Sequence, residues 1–550
     1  MEIATNVVFH EEKGPECWRR ILKIFPVTKP MKQLAVLISL TFGGLGMASA
    51  ASIYAFFAFQ TSMRAILNQT ETESNLVATL GNLGMTFAFP AGMCYEFLGS
   101  QAAAIFGLTF SSIGYVFLWL GTGDWKEEFS GKPWITDILY FLVGLGGSFT
   151  YMAAMMPNVE NFDYKHRGKV IGLLDACFSL GPTLLSVLYN LAFANGYTQP
   201  GQEQNQDLPG YFITLAILTV AINISVFLFT GRLKNIHHVE SDQIATLSDD
   251  VLAIVYGDEH DDDQTQKHKA PAPDPTMTMT QAGGSSSSTQ ESSQPPMEPF
   301  EEIRLLDEKA PSDFSEFPFQ ELPITKAVFR WNFHFLLVQY VLNACLQLTY
   351  QNNIPTYLKS FNRNDYNLFF TVLNTAMQTV SKFVAGIVSD LIAHSGKAPR
   401  AVVFIIPYIL QTFFLTISVW YGDNIVVMVL TCIFLGAANG VTWCQTPTLI
   451  GELFGSKYMG SNWGWTMLLT AALGFPFSIG FSSIYEAEIP VGSGELNCYG
   501  LHCFTWSFVM LAGASFATII MAAGLSQNMQ RNAHWRRNYK AARTHSFPRL

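Results

Sequence analysis

The sequence predicts an all-α membrane protein of twelve transmembrane helices arranged as two six-helix pseudo-repeats. Three observations predict it: twelve long apolar stretches, a one-sided distribution of Lys and Arg between them, and matched glycine, proline and acidic positions in the two halves of the chain. The stretches, numbered here as spans 1 to 12, run at about residues 35–59, 75–98, 102–121, 135–156, 168–194, 211–230, 330–356, 366–392, 401–421, 425–450, 459–485 and 504–526. A helix needs about 20 residues to cross a hydrocarbon core of roughly 30 Å. Lipid offers no partner to backbone amides, so helices are the expected spanning form.

The basic residues set the orientation. With the N-terminus inside, 22 Lys and Arg fall on the cytoplasmic side without counting the central stretch 235–325, and only Arg64, Lys126, Lys132, Lys359 and Arg363 fall outside. The positive-inside bias therefore places both termini in the cytoplasm. Residues 1–33 are polar rather than an apolar leader, so the first span is expected to direct insertion. The predicted organisation is a cytoplasmic N-tail (1–33), a first bundle (34–230), a mostly disordered cytoplasmic loop (231–325), a second bundle (326–526) and a basic cytoplasmic C-tail (527–550). The loop carries an acidic run, a Pro/Ala patch from Ala270 to Pro275 and a Gly/Ser run from Gly283 to Ser288, which leaves little apolar surface to bury. Much of the acidity behind the net charge of −10 sits in that loop, so the charge says little about partners.

The halves repeat each other at corresponding places. In span 2 Gly92 precedes Glu96 by four residues, and in span 8 Gly386 precedes Asp390 by four. Pro157, then Gly168 and Gly172, then Gly181-Pro182 in the first half correspond to Pro447, Gly460 and Gly464, then Gly474 and Pro476 in the second. Glycines four apart let helices approach closely, and a proline bends its helix. Two such halves around a midplane site is the build of an alternating-access carrier.

At these residues the chain resembles the major facilitator superfamily. Gly386-Ile-Val-Ser-Asp390, Lys397 and Pro399-Arg400 look like that superfamily's inter-span motif, and Tyr95-Glu96-Phe-Leu-Gly99 is a copy that keeps the acid and lacks the arginines. More narrowly it resembles the nodulin-like branch, similar in turn to fungal monocarboxylate-transporter-like proteins, through His166 to Leu174, Gly451-Glu452-Leu453-Phe454-Gly455 and Cys498-Tyr-Gly-Leu-His502-Cys503. The resemblance implies a carrier of a small solute and fixes no ligand.

Ionisable groups inside spans are costly, so the working residues are expected among them. Lys382 lies near the middle of span 8, eight residues before Asp390, on one helical face. Related carriers typically place an arginine here, and in monocarboxylate carriers the position is associated with the anionic substrate. Lysine keeps the charge without the bidentate fork. Asp175 in span 5 replaces an expected basic residue. It reads as a proton site, as an ion-pair partner of Lys382, or as one member of a static pair that fixes helix packing. Glu96, Arg167, Asp390, Lys397, Arg400 and Glu452 read as inner-loop charges whose ion pairs close and release the cytoplasmic gate.

Cys498 and Cys503 fall in an external loop, where a disulfide is expected, with a weaker metal-binding alternative through His502. Asn68 heads an external glycosylation sequon, and Glu301 with Leu305 and Leu306 fits an acidic dileucine signal read by sorting adaptors. No P-loop, dinucleotide fingerprint or metal-spaced His/Cys cluster is found, so neither an enzyme nor a cofactor is expected. The basic tails flank membrane helices and suit anionic lipid rather than nucleic acid. The expected partners are a small-molecule substrate, the lipid bilayer, protons and sorting adaptors. The plasma membrane is favoured, with an endosomal or vacuolar membrane as the alternative address. A small polar organic solute, anionic or zwitterionic, is the expected cargo. The alternatives are a carrier of metal, vitamin-like or aromatic solutes, and a non-transporting sensor or scaffold that signals through the long loop.

Overall fold

A computed structural model of the chain describes residues 29–162, 166–194, 206–231, 321–395, 398–488 and 498–531. Every regular element among them is helical, and they form twelve passes. Span 1 is Lys29–Ala50, a 3₁₀ turn at Ala51–Ala55, and Phe56–Leu67, closed by Asn68 in the left-handed conformation. Asparagine reaches that region more easily than most residues. Span 2 starts with a capping box in which Thr70 and Glu73 satisfy each other's backbone amides. The exposed Glu73 carboxyl is held below its usual value by those hydrogen bonds from Thr70.

Helix Glu71–Thr86 breaks ahead of Pro90 and resumes as Phe89–Thr122. Within that helix Gly99 has φ +90°, and this is where span 2 ends and span 3 begins. Spans 4, 5 and 6 are Pro133–Asn161, Arg167–Leu188 (prolonged by a π turn, Tyr189–Phe193) and Leu208–Phe229. In the second half, the short helix Ile324–Ala327 leads into span 7, Trp331–Ser360. Span 8 is Asn367–Ser395, and span 9 is a 3₁₀ turn at Arg400–Phe404 followed by Ile405–Tyr421. Spans 10, 11 and 12 are Ile425–Leu453, Met459–Ala487 and His502–Arg531.

Ten stretches are long and apolar enough to cross a membrane, because spans 2 and 3 run together as Leu76–Thr122 and span 7 falls short. Span 7 falls short because its buried face carries Asn332, Gln339, Asn343 and Gln347. The outward faces are apolar instead, with Leu37, Leu191, Ile217, Ile406 and Phe413 all exposed, as a lipid-covered surface requires.

Two close helix contacts join the halves. Span 5 meets span 8 where Gly168 faces Gly386, and span 2 meets span 11 where Gly92 faces Gly460. At Gly172 a Cβ would lie 2.6 Å from the Lys382 carbonyl oxygen, and at Gly464 one would lie 2.5 Å from the Ala88 carbonyl oxygen. Backbone cannot yield as a side chain can, so Gly172→Val is expected to cost about 1–3 kcal/mol through overpacking. The readout is a lowered thermal midpoint in detergent. An unchanged midpoint would mean that the helices do not approach this closely.

Candidate functional site

The face of span 8 that carries Lys382, Gly386 and Asp390 is turned toward span 5. Lys382 is 3% exposed. Its ammonium donates to Ser179 Oγ at 2.7 Å and to the Asp175 backbone carbonyl at 3.3 Å. The rings of Phe178 and Trp443 each lie with their centroids 5.5 Å from Nζ, a desolvated cation–π setting. An ammonium has three N–H donors, and the protein uses two.

The Asp175 carboxylate is fully buried and turned away, toward span 4. Its Oδ1 accepts from the Tyr151 hydroxyl at 3.4 Å, and Tyr151 in turn accepts from Trp463 Nε1 at 3.2 Å. Oδ2 accepts no hydrogen bond. In this conformation Asp175 and Lys382 do not form an ion pair: among the described residues no carboxylate oxygen lies within 4 Å of the ammonium. The cause is geometric, since the main chain at residue 175 and the hydroxyl one turn further on hold the ammonium on one side of span 5.

Aromatic rings from both halves enclose these groups. Trp463 packs edge-on against Tyr340 at 5.0 Å and Trp443 at 5.9 Å, while Phe178 meets Tyr151 at 5.5 Å and Tyr54 at 5.9 Å. Tyr54 and Phe178 enter this cluster from the first half, and Tyr340, Trp443 and Trp463 from the second. Phe57 and Trp331 are 58% and 74% exposed on the outer surface, and Tyr350 packs in a separate core cluster.

Below Lys382 the two halves lock at one end of the bundle. Asp390 is wholly buried and accepts from Arg400 Nη1 at 2.5 Å, from the Gly168 amide at 3.1 Å and from the Lys169 amide at 2.9 Å. The first amides of a helix have no partner within it and carry partial positive charge. Asp390 thus caps span 5 of the opposite half. Arg400 also pairs with Glu452 at 3.0 Å and donates to Ser389 Oγ at 3.0 Å. Arg167 reaches across to the Gly451 carbonyl at 3.1 Å.

The repeat-related contact is Glu96, which accepts from the Ser461 amide in the first turn of span 11 at 2.6 Å. Each half thus extends an acid from its second span to the start of the other half's fifth. Sequence reading singled out Glu96 and Asp390 but missed these amide partners, which carry no signature in residue type.

Asn68 is exposed at the far end of span 1. Cys498 and Cys503 are joined as a disulfide, with His502 Nε2 at 3.6 and 3.7 Å from the two sulfurs. Lys397 and the dileucine residues Glu301, Leu305 and Leu306 lie outside the described residues, as do the N-tail up to residue 28 and residues 532–550.

Residues 40–479 match the family described as the Major Facilitator Superfamily. The chain is 23% identical over 491 residues to a protein of Candida albicans named "Probable transporter MCH1", covering 89% of this chain and 91% of that protein. A protein of the same name from Debaryomyces hansenii is 22% identical over 506 residues, covering 90% and 93%. Among solved structures, the chain is similar to the proton:xylose symporter XylE bound to 6-bromo-6-deoxy-D-glucose, with TM-score 0.56, 13% identity and coverage of 88% and 95%. It is also similar to the transporter FucP in the outward conformation, with TM-score 0.53, 12% identity and coverage of 90% and 99%.

Proposed function

The chain belongs to the major facilitator superfamily, and from that premise we propose that it is a secondary carrier of a small anionic or zwitterionic organic solute, working by alternating access around Lys382. One observation carries the reading. A buried ammonium stands at the junction of the halves with one donor unused and, among the described residues, no carboxylate within ion-pair distance. A charge kept in the membrane interior is costly and marks a solute or ion pathway by default, and the carboxylate of a solute supplies the missing counter-charge.

The lock at Asp390, Arg400 and Glu96 is the cytoplasmic gate in its closed state, so this conformation opens to the outside. The assignment of sides rests on the positive-inside distribution, which also puts both termini in the cytoplasm. We propose the plasma membrane as its address, with an endosomal or vacuolar membrane as the alternative.

Asp175 is the proton site. Its carboxylate has one unpartnered oxygen and is wired to both halves through Tyr151 and Trp463. Asp175→Asn keeps the shape and removes the titrating group, so it is expected to abolish the response of uptake to an imposed pH gradient while solute exchange continues. Proteoliposome uptake with and without the gradient checks this. A mutant that still follows the gradient would remove Asp175 from coupling.

The reading as a whole is tested by uptake of labelled carboxylates by cells expressing the wild type, Lys382→Ala or a chain lacking residues 240–320. A carrier retains uptake without the loop and loses it without Lys382. Equal uptake by the wild type and Lys382→Ala would withdraw the site.

A further inference from the structure

Four buried or half-buried amide side chains lie on the side of Lys382 away from the gate. Asn374, Gln378 and Lys382 follow at four-residue intervals on one face of span 8. Gln347 of span 7 and Asn439 of span 10 complete the group, and Asn439 stands one turn from Trp443, a wall of the Lys382 site.

The direction of every hydrogen bond in this group is fixed from one end. The Cys432 main-chain carbonyl can only accept, so the Asn374 NH₂ points at it, at 3.1 Å. The Asn374 Oδ1 then faces Gln347 and Gln378, and both present their NH₂ groups to it at 2.7 Å. The Gln378 Oε1 is left to accept from Asn439 Nδ2 at 3.1 Å. The chain therefore terminates in two carbonyl oxygens, Gln347 Oε1 and Asn439 Oδ1, both buried and neither accepting a hydrogen bond. Their side chains are 2% and 5% exposed. Turning either amide over would set two acceptors against each other within the group. A buried acceptor left unmade costs about 1–3 kcal/mol, so a ligand that supplies donors to these two oxygens gains by about that much at each.

We propose that Gln347, Asn374, Gln378 and Asn439 form a second subsite of the carrier that reads a hydrogen-bond donor, hydroxyl or ammonium, on the carboxylate solute held at Lys382. The inference rests on the anion reading above and narrows it. The solute is a hydroxy acid or an amino acid rather than a plain monocarboxylate. Its donor sits a few bonds from the carboxylate, because the free acceptor on Asn439 is one turn, about 6 Å along the axis, from Trp443, the ring beside the Lys382 ammonium. The subsite contains no charged side chain, so it does not itself select between hydroxyl and ammonium.

The test is binding to the purified full-length protein of four probes that differ only in the donor: butyrate, 3-hydroxybutyrate, 4-hydroxybutyrate and 4-aminobutyrate. The wild type is expected to bind at least one donor-bearing probe about tenfold more tightly than butyrate, the worth of a hydrogen bond made to an otherwise unsatisfied acceptor. The two hydroxybutyrates against 4-aminobutyrate then identify the donor. In Asn439→Val and in Gln347→Met the ratio to butyrate is expected to fall toward one. A ratio is taken within one preparation, so loss of folded protein cancels from it. A wild-type ratio near one, with butyrate bound, would overturn the subsite and leave the anion site standing. A preference kept by both variants would also overturn it. No binding of any of the four would remove the anion reading and the subsite together.

Discussion

Lys382→Ala is expected to lower transport at least a hundredfold, with the protein still inserted and folded. Truncating one partner of a buried, hydrogen-bonded charge pair costs about 2–5 kcal/mol or more, and in the proposed site the other partner is the solute. The change also removes the cation between Phe178 and Trp443 and the donor to Ser179, but among the described residues it leaves no carboxylate newly unpaired, because none is within ion-pair distance of the ammonium. The loss should therefore fall on solute handling more than on stability. Lys382→Arg keeps the charge and should retain part of the activity. Its planar fork has different reach and hydration from an ammonium and must fit between two rings placed for Nζ. Uptake rates normalised to membrane-inserted protein, alongside the thermal midpoint, separate the two effects. A large fall in midpoint with Lys382→Ala would mean that the lysine is structural.

Asp390→Ala is expected to release the closed gate. It strands Arg400, which is 1% exposed, and uncaps the Gly168 and Lys169 amides. Breaking a buried ion pair by removing one partner costs about 3–5 kcal/mol, and about 3 kcal/mol is a shift of more than a hundredfold between two conformations. Glu452 remains beside Arg400 at 3.0 Å and offsets part of the loss. Cys444 reports the shift, because its thiol is fully buried against the Gly168 carbonyl at 3.8 Å. With the other free cysteines replaced, alkylation of Cys444 from the cytoplasmic side should be slow in the wild-type background and much faster with Asp390→Ala. Equal rates would mean that Asp390 does not hold the halves together.

Much of the fold is legible because its determinants are averages over long windows. Apolar length and basic asymmetry located the spans to within several residues, and span 7 was located from its length although its buried amides keep it below the hydropathy of the others. The turn at Ala51–Ala55 was not legible, since neither glycine nor proline marks it. In the site, Lys382 and Asp175 stood out as charges inside spans, but the side on which each side chain is turned depends on Ser179 and Tyr151, which look ordinary in sequence. Glu96 and Asp390 were visible as repeat partners, whereas backbone amides as their targets were not. The amide group was overlooked because a search for ionisable residues passes over neutral ones. The four-residue spacing of Asn374, Gln378 and Lys382 was the available signal.

The central claim is that a solute's carboxylate completes the charge at Lys382. Untargeted metabolite profiling of cells expressing the wild type against cells expressing Lys382→Ala, at matched membrane levels, tests it most directly. The account predicts that one or more carboxylates bearing a hydroxyl or ammonium change in cellular level with the wild type alone. Identical profiles, or a change confined to cationic or uncharged solutes, would contradict it.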